Sequence, residues 1–291
     1  MDADLEKTLN LAHKEEAIFN VLRSTLQYPA SSEARSQKLV NDIIFFCTST
    51  AEPPFWEIWP AVLALGSCIQ PGHEWQATLI QSLRLLRQLD DSIAQGTTGS
   101  LKDLPDLTLT LTEHWQGHEN PIFLDPDHPP LTDVLERWKN LNSFLARLPG
   151  DDYLFFLRLG LGQVGGALEV VPPESDSQLP LAECKIWTGT EWIIHCGRRI
   201  FKAVASKDSP ENTIPDPGPL LGDIPKQSIE RWEFWKKRLT QIAADYPTTA
   251  NRIQQALDAM KEAELEKKEA ELEKREAELG KKEAQQGNKE I

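Results

Sequence analysis

Apolar side chains return every three or four positions along most of this chain, the spacing that lines one flank of an α-helix. Leu5, Leu9, Ala12, Phe19, Leu22 and Leu26 mark a first helix over Asp4–Gln27, with Glu15 and Glu16 interrupting the stripe and Pro29 ending it. A second is expected from Ser32 as N-cap, burying Leu39, Ile43, Phe46 and Cys47. Pro53-Pro54 opens a third, in which Phe55, Trp59, Val62 and Leu65 share a face. Pro60 lacks a backbone donor and is expected to kink or restart it. A fourth runs from about His73 to Ile93 through Trp75, Leu79, Leu83 and Leu86.

Between Leu101 and Pro130 the periodicity fades. Leu107, Leu109 and Leu111 alternate with threonines, a strand-like pattern for which no partner strand is visible nearby. Helical order returns with Leu131, Leu135, Trp138, Leu141, Leu145 and Leu148, and again with Leu154, Leu157, Leu161, Val164 and Leu168. Leu181–Val204 reads as a further helix, or as a hairpin turning at Thr188-Gly189-Thr190. Prolines at 210, 215, 217, 219 and 225 define a loop, and Ser228 is an expected N-cap. Trp232, Trp235, Leu239, Ile242 and Tyr246 then follow at spacings of 3, 4, 3 and 4. The expected fold is therefore all-α. A single domain of about eight or nine helices covers residues 1–260, with a Pro-rich loop at 206–227 inside it.

The stretch 261–291 differs in kind. Glu262–Lys268, Glu269–Arg275 and Glu276–Lys282 are near-copies with a period of seven. Glu264 with Lys268, Glu271 with Arg275, and Glu278 with Lys282 stand four apart, each pair worth roughly 0.2–0.5 kcal/mol of helix. A two-stranded coil needs two apolar positions per heptad. Here Leu265, Leu272 and Leu279 supply one, and Lys268 and Glu269 fill the places three and four after Leu265. The expectation is an isolated, exposed charged helix fraying beyond Gly280. A weak strip for oligomerisation or partner binding is the alternative.

The 291 residues carry a net charge of −14, and removing eight Lys/Arg and ten Glu from residue 261 onward leaves −12 on the body. That acidity disfavours nucleic acid and anionic lipid as partners. No apolar run approaches the roughly 20 residues that span a bilayer. Met1-Asp2-Ala3-Asp4 lacks the basic-then-apolar order of a signal peptide. Cys47, Cys68, Cys184 and Cys196 form no C-x-x-C pair and read as buried thiols of a reducing, cytoplasmic setting. Of nine tryptophans, Trp56, Trp59, Trp75, Trp138, Trp192, Trp232 and Trp235 fall in or near helical stripes and read as wedges between helices.

The tempting chemistry dissolves on inspection. Gly160-Leu-Gly162-Gln-Val-Gly165 matches a dinucleotide fingerprint, but the helix after it would end within about six residues at Pro172-Pro173. Gly162 and Gly166 are read instead as places where a neighbouring helix or its tryptophan approaches closely. His114 and His118 stand four apart, with Asp125, Asp127 and His128 nearby, yet Gly117 and Pro121 end the helix a metal pair would need. Asp90-Asp91 lacks a third acid, and Gly96–Ser100 lacks the lysine of a phosphate loop. His195 and Cys196 are neighbours, which on a helix point about 100° apart. Trp235-Lys-Lys-Arg238 is a solvated basic face. No catalytic, cofactor-binding or metal-ligating residue is assigned, and no cofactor is expected.

Several blocks, taken together, carry a likeness. They are Phe55-Trp56-Glu57-Ile58-Trp59, Pro71-Gly72-His73-Glu74-Trp75-Gln76, Asp103-Leu104-Pro105, Arg137-Trp138 through Phe144 to Arg147, Glu191-Trp192-Ile193 before Gly197, and Ser228 through Arg231-Trp232 and Trp235 to Arg238. In these blocks, over roughly residues 10–260, the chain resembles a family of helical proteins from filamentous fungi known as a domain of unknown function. The resemblance implies an all-helical body and a fungal setting. For function, the expectation is a non-catalytic intracellular interaction or scaffold protein, its partners other proteins reached through the C-terminal helix. The alternative is an enzyme or accessory protein of a fungal pathway, with a small-molecule pocket between helices lined by tryptophan and histidine; a deep apolar cavity holding two or more of His114, His118 and His195 would favour it.

Overall fold

The computed structural model describes residues 6, 9–50, 53–89, 103–116, 132–148, 154–172, 178–206 and 214–287. Among them the chain is helical, with no strand: α1 His13–Gln27, α2 Ser32–Thr48, α3 Phe55–Ser67, α4 Glu74–Arg87, α5 Leu107–Gln116, α6 Thr132–Arg147, α7 Leu154–Leu168, α8 Leu179–Ala205, α9 Ile229–Asp245 and α10 Ala250–Gly287. The periodic reading is met, and capping chemistry moves the boundaries. The expected helix is interrupted at Leu9–Ala12, and α1 begins at His13, where the carboxylate of Glu15 accepts the Ala12 N–H at 2.8 Å. The acids that interrupt the apolar stripe are its N-terminal cap. The N-cap of α2 is Ser31, whose hydroxyl accepts from Ala34 N at 3.2 Å. Ser32 lies just inside the helix, its Oγ 2.6 Å from that of Thr78.

Three ambiguous stretches resolve as helix. Helix α3 runs through Pro60 without restarting. The Leu-Thr alternation belongs to α5, in which Leu107 and Leu111, four apart, are buried and Leu109 points outward. Thr188-Gly189-Thr190 lies within α8 and makes no hairpin. The end of α4 at Arg87 falls short of the expected Ile93, residues 90–100 being outside those described.

The chain divides into two compact units. The first comprises Met1–Phe156 with Pro172–Thr188. Its hub is α3, buried from Ala61 to its end at Ser67 and packed by α1, α2, α5 and α6, as an almost wholly apolar helix must be. The polar ends of that hub are satisfied from neighbouring helices. Asn140 Nδ2 donates to the Ser67 carbonyl at 2.8 Å and Gln76 Nε2 to that of Ile69 at 3.1 Å, closing carbonyls that the helix terminus leaves open. Trp59 is fully buried and donates to Pro105 O at 2.5 Å. Trp56 is no wedge: it is 46% exposed. Phe46 is only half-buried.

The second unit comprises Leu157–Val171 with Gly189–Ile291. Trp192, Trp232 and Trp235 are all fully buried in it. A Cβ added to Gly160 would lie 2.5 Å from Trp192 Cε3, and one on Gly189 2.7 Å from Ala167 Cβ. Gly162 and Gly166 would meet nothing within 4 Å. Close approach does explain glycines here, but not at Gly162 or Gly166; Gly162 lies on the exposed face of α7.

Candidate functional site

Helix α9 organises the second unit. Ser228 starts it by accepting the Arg231 N–H at 3.2 Å, and its tryptophans, three residues apart, lie on one flank. Each indole N–H donates to a glutamate. Trp235 Nε1 reaches Glu169 Oε1 at 2.7 Å; Trp232 Nε1 reaches Glu264 Oε1 at 2.8 Å.

The Glu169 site is sealed. Arg231 Nε donates to Oε1 at 2.7 Å and Nη2 to Oε2 at 3.0 Å, the two-pronged geometry that a guanidinium matches best. Gly218 N donates to Oε2 at 2.8 Å, and Arg231 Nη1 to the carbonyls of Pro215 and Lys226 at 3.0 and 3.1 Å. Leu220 N closes on the Glu169 carbonyl at 3.0 Å. A Cβ on Gly218 would lie 2.6 Å from Glu169 Cβ, so only glycine lets the loop come this close. Both carboxylate oxygens and three guanidinium nitrogens are occupied by protein, and both side chains are out of water. That arrangement fixes the proline-rich loop to α7 and α9. It offers nothing to a substrate.

The Glu264 site seats α10 on the same unit. Ile253, Ala256, Met260 and Ala263 are buried at spacings of 3, 4 and 3. Glu264 also accepts Lys236 Nζ at 2.9 Å. Burial pushes the Glu264 carboxyl up, but hydrogen bonds from Lys236 and Trp232 outweigh it and hold the group below its ordinary range. For Lys236, burial pushes the ammonium down, and hydrogen bonds to Glu264 and Glu233 again prevail, raising it. Arg198 pairs with Glu266, and Lys267 Nζ sits 5.3 Å above the Phe201 ring. Nearer the start of α10, Arg252 binds Glu191 and donates to Thr190 Oγ1 at 2.9 Å.

Beyond this seat every residue from Lys267 to Ala277 is exposed, and the helix continues to Gly287. Unbroken exposure thus begins at Lys267, five residues after the first heptad copy starts at Glu262, and the backbone stays helical past the expected fraying point at Gly280. Leu265 and Leu272 are 48% and 56% exposed. Lys267 and Glu271 make an ion pair four residues apart at 4.0 Å.

The described members of the tempting sets have other surroundings. Cys196 is buried and its thiol is pushed up to about 12 by that burial, so it is no nucleophile beside His195. His195 Nε2 instead faces Glu191 Oε1 at 3.2 Å. Burial lifts Cys47 and Cys184 to about 12 as well, and none of the four cysteines is joined in a disulfide. His114 lies on α5 in the first unit, His195 on α8 in the second; His118, Asp90, Asp91, Gly96–Ser100, Asp125, Asp127 and His128 fall outside the described residues. Among the described residues there is no group of three metal-ligating side chains, and no helix long and apolar enough to cross a membrane. A polar crevice of about 230 Å³ in the first unit is bordered by Glu6, Asn10, Glu16, Phe19, Asn20 and Arg23, and holds none of the histidines. Arg23 is already engaged there, paired with Glu6 and lying 5.8 Å over Phe19.

Sequence reasoning missed Glu169. The available signal was its isolation: it is the lone charge between Arg158 and Glu174, in a stretch otherwise apolar but for Gln163. A carboxylate so placed needs a buried cation. A family model described as "Protein of unknown function (DUF3632)" matches residues 59–239, from Trp59 in α3 to Leu239 in α9. Glu169, Arg231 and Trp235 lie within the match; α10 lies outside it. No curated protein and no solved structure matches the chain.

Proposed function

The chain belongs to the DUF3632 family, and we propose that it works as a non-catalytic protein-interaction or scaffold protein, with α10 as the element it presents to partners. The observation that carries this reading is the change within one helix. The same α10 that is seated by Ile253, Ala256, Met260 and Ala263 stays helical with every side chain from Lys267 to Ala277 in water. From Ala263 to Gly287 it extends by about 36 Å at 1.5 Å per residue. A charged rod of that length, with its cations and anions nearly balanced, stabilises no core; its use is to hold something at a distance or to offer a surface. Supporting this, the two tryptophan-bound glutamates are taken up by structural contacts, and burial pushes the thiols of Cys47, Cys184 and Cys196 up to about 12.

The reading also places the protein in a fungal cytoplasm, supported by the likeness of its tryptophan blocks and by cysteines kept as buried thiols. The test compares cross-linked partners of the full chain with those of a chain ended after Lys267. Partners lost with the arm are expected. An identical set for both chains overturns the assignment to α10.

A further inference from the structure

From the exposed part of α10 we infer that its interaction surface takes a second copy of the same helix, in parallel and in register. This rests on α10 being the interaction element. The occupant follows from where the charges lie around the leucines.

Leu265 and Leu272 are seven residues apart and so drift by only about 20° around the helix, forming one exposed stripe. Ala256, Met260 and Ala263, which seat α10 on its own unit, precede Leu265 by nine, five and two residues. At about 100° per residue they lie roughly 160–220° from it. The stripe therefore faces directly away from the seat, and another helix can reach it without displacing the contacts to Trp232, Lys236 and Arg198.

The two flanks of the stripe carry opposite charge. Glu269 and Glu276, four residues after each leucine, lie about 40° to one side; Lys268 and Arg275, three after, lie about 60° to the other. A twofold axis parallel to the helix sets the acidic flank of each copy against the basic flank of the other, on both sides of a Leu–Leu line. Antiparallel pairing sets Glu against Glu and Lys against Lys. The helix is thus self-complementary in one direction only, the way flanking charges fix orientation in helix pairs. With a single leucine per heptad the association is weak and salt-sensitive.

Sedimentation equilibrium of the full chain, from micromolar to near-millimolar concentration, tests this. A reversible dimer is expected, lost when the chain ends after Lys267 and weakened by about tenfold or more by Leu272→Glu. Glu269→Lys with Glu276→Lys, and separately Lys268→Glu with Arg275→Glu, should each weaken self-association; mixing the two variant chains should restore it. Because all four native cysteines are buried, an introduced thiol reports geometry: Leu272→Cys is expected to oxidise to a homodimer. A chain that stays monomeric throughout overturns the pairing, as does cross-linking of Leu265→Cys to Leu279→Cys in preference to itself. A monomer that still loses protein partners on truncation leaves α10 as an interaction element with another occupant. Partners and dimer that both survive truncation remove the two readings together.

Discussion

Glu169 and Glu264 occupy matching roles beside the N-terminal half of α9, and they differ in nearly everything that sets energy. Each accepts a tryptophan N–H from α9 and a cation from the same helix. At Glu169 the cation is Arg231, whose planar fork takes both oxygens while its third nitrogen holds two loop carbonyls, all away from water. At Glu264 the cation is Lys236, a single flexible ammonium shared with Glu233 and partly exposed to solvent. The first arrangement cannot lose a member without stranding a charge. The second can, because water replaces whatever is removed. One motif of indole and carboxylate therefore serves as a permanent lock inside the family-matched region and as an adjustable seat for the helix beyond it.

The sharpest way to break this contrast is to remove each acid. Glu169→Ala should cost about 3–5 kcal/mol by leaving Arg231 buried and unpaired, whereas Glu264→Ala, at a partly exposed pair, should cost about 1 kcal/mol. Urea midpoints of the two variants measure it, and equal losses would erase the distinction. The rigidity of the buried side predicts the next effect. Gly160→Ala drives a methyl into Trp192 and should cost about 1–3 kcal/mol, while Gly162→Ala, with empty space around it, should stabilise by up to about 1 kcal/mol. Near-ultraviolet circular dichroism should register Trp192 moving in the first variant alone.

Smaller still is the difference between the donors. Trp235→Phe deprives a sealed carboxylate of a charge-assisted bond, and Trp232→Phe one that solvent can reach, so the former should be worse by about 1 kcal/mol. Thermal unfolding of both variants decides it. The smallest effect is in pH. Because Glu264 is held below its ordinary value of 4.5, its contribution is complete above that value and disappears as pH falls through the lower, folded one. Lys236, held above 10.5, contributes fully below that value and loses its share as pH rises through its own folded one. Wild type and Glu264→Gln should therefore differ in stability near neutrality and converge in acid; a gap unchanged at pH 3 would contradict the seat as described.

The elements of this chain were legible in its sequence to a degree that varied with how much their ends depend on local chemistry. Trp232, Trp235, Leu239 and Ile242 announce α9 by spacing alone, and Ser228 caps it as residue type dictates. The start of α1 was misplaced because Glu15 reads as an interruption of an apolar stripe until its bond to Ala12 N is seen. The Leu-Thr alternation of Leu107–Leu111 satisfies a strand as well as a helix over so short a run; burial of Leu107 and Leu111 against the first unit decides between them. Of the site, the leucine stripe and the charge order of α10 were fully readable, and the depth of its seat was not.

What the sequence determined alone is periodic: apolar residues three and four apart make helices wherever they occur, since that spacing hides one flank from water. What only the tertiary structure decided is pairing at a distance. Glu169 and Arg231 stand 62 residues apart, and no local pattern tells a lone carboxylate which arginine will neutralise it. That Gly160, Gly189 and Gly218 are glycines the packing requires, and that α10 is exposed along its whole girth from Lys267 to Ala277, follows from which side chains come to lie opposite them. Helical period is a property of neighbours along the chain, while close packing and charge burial are properties of neighbours in space.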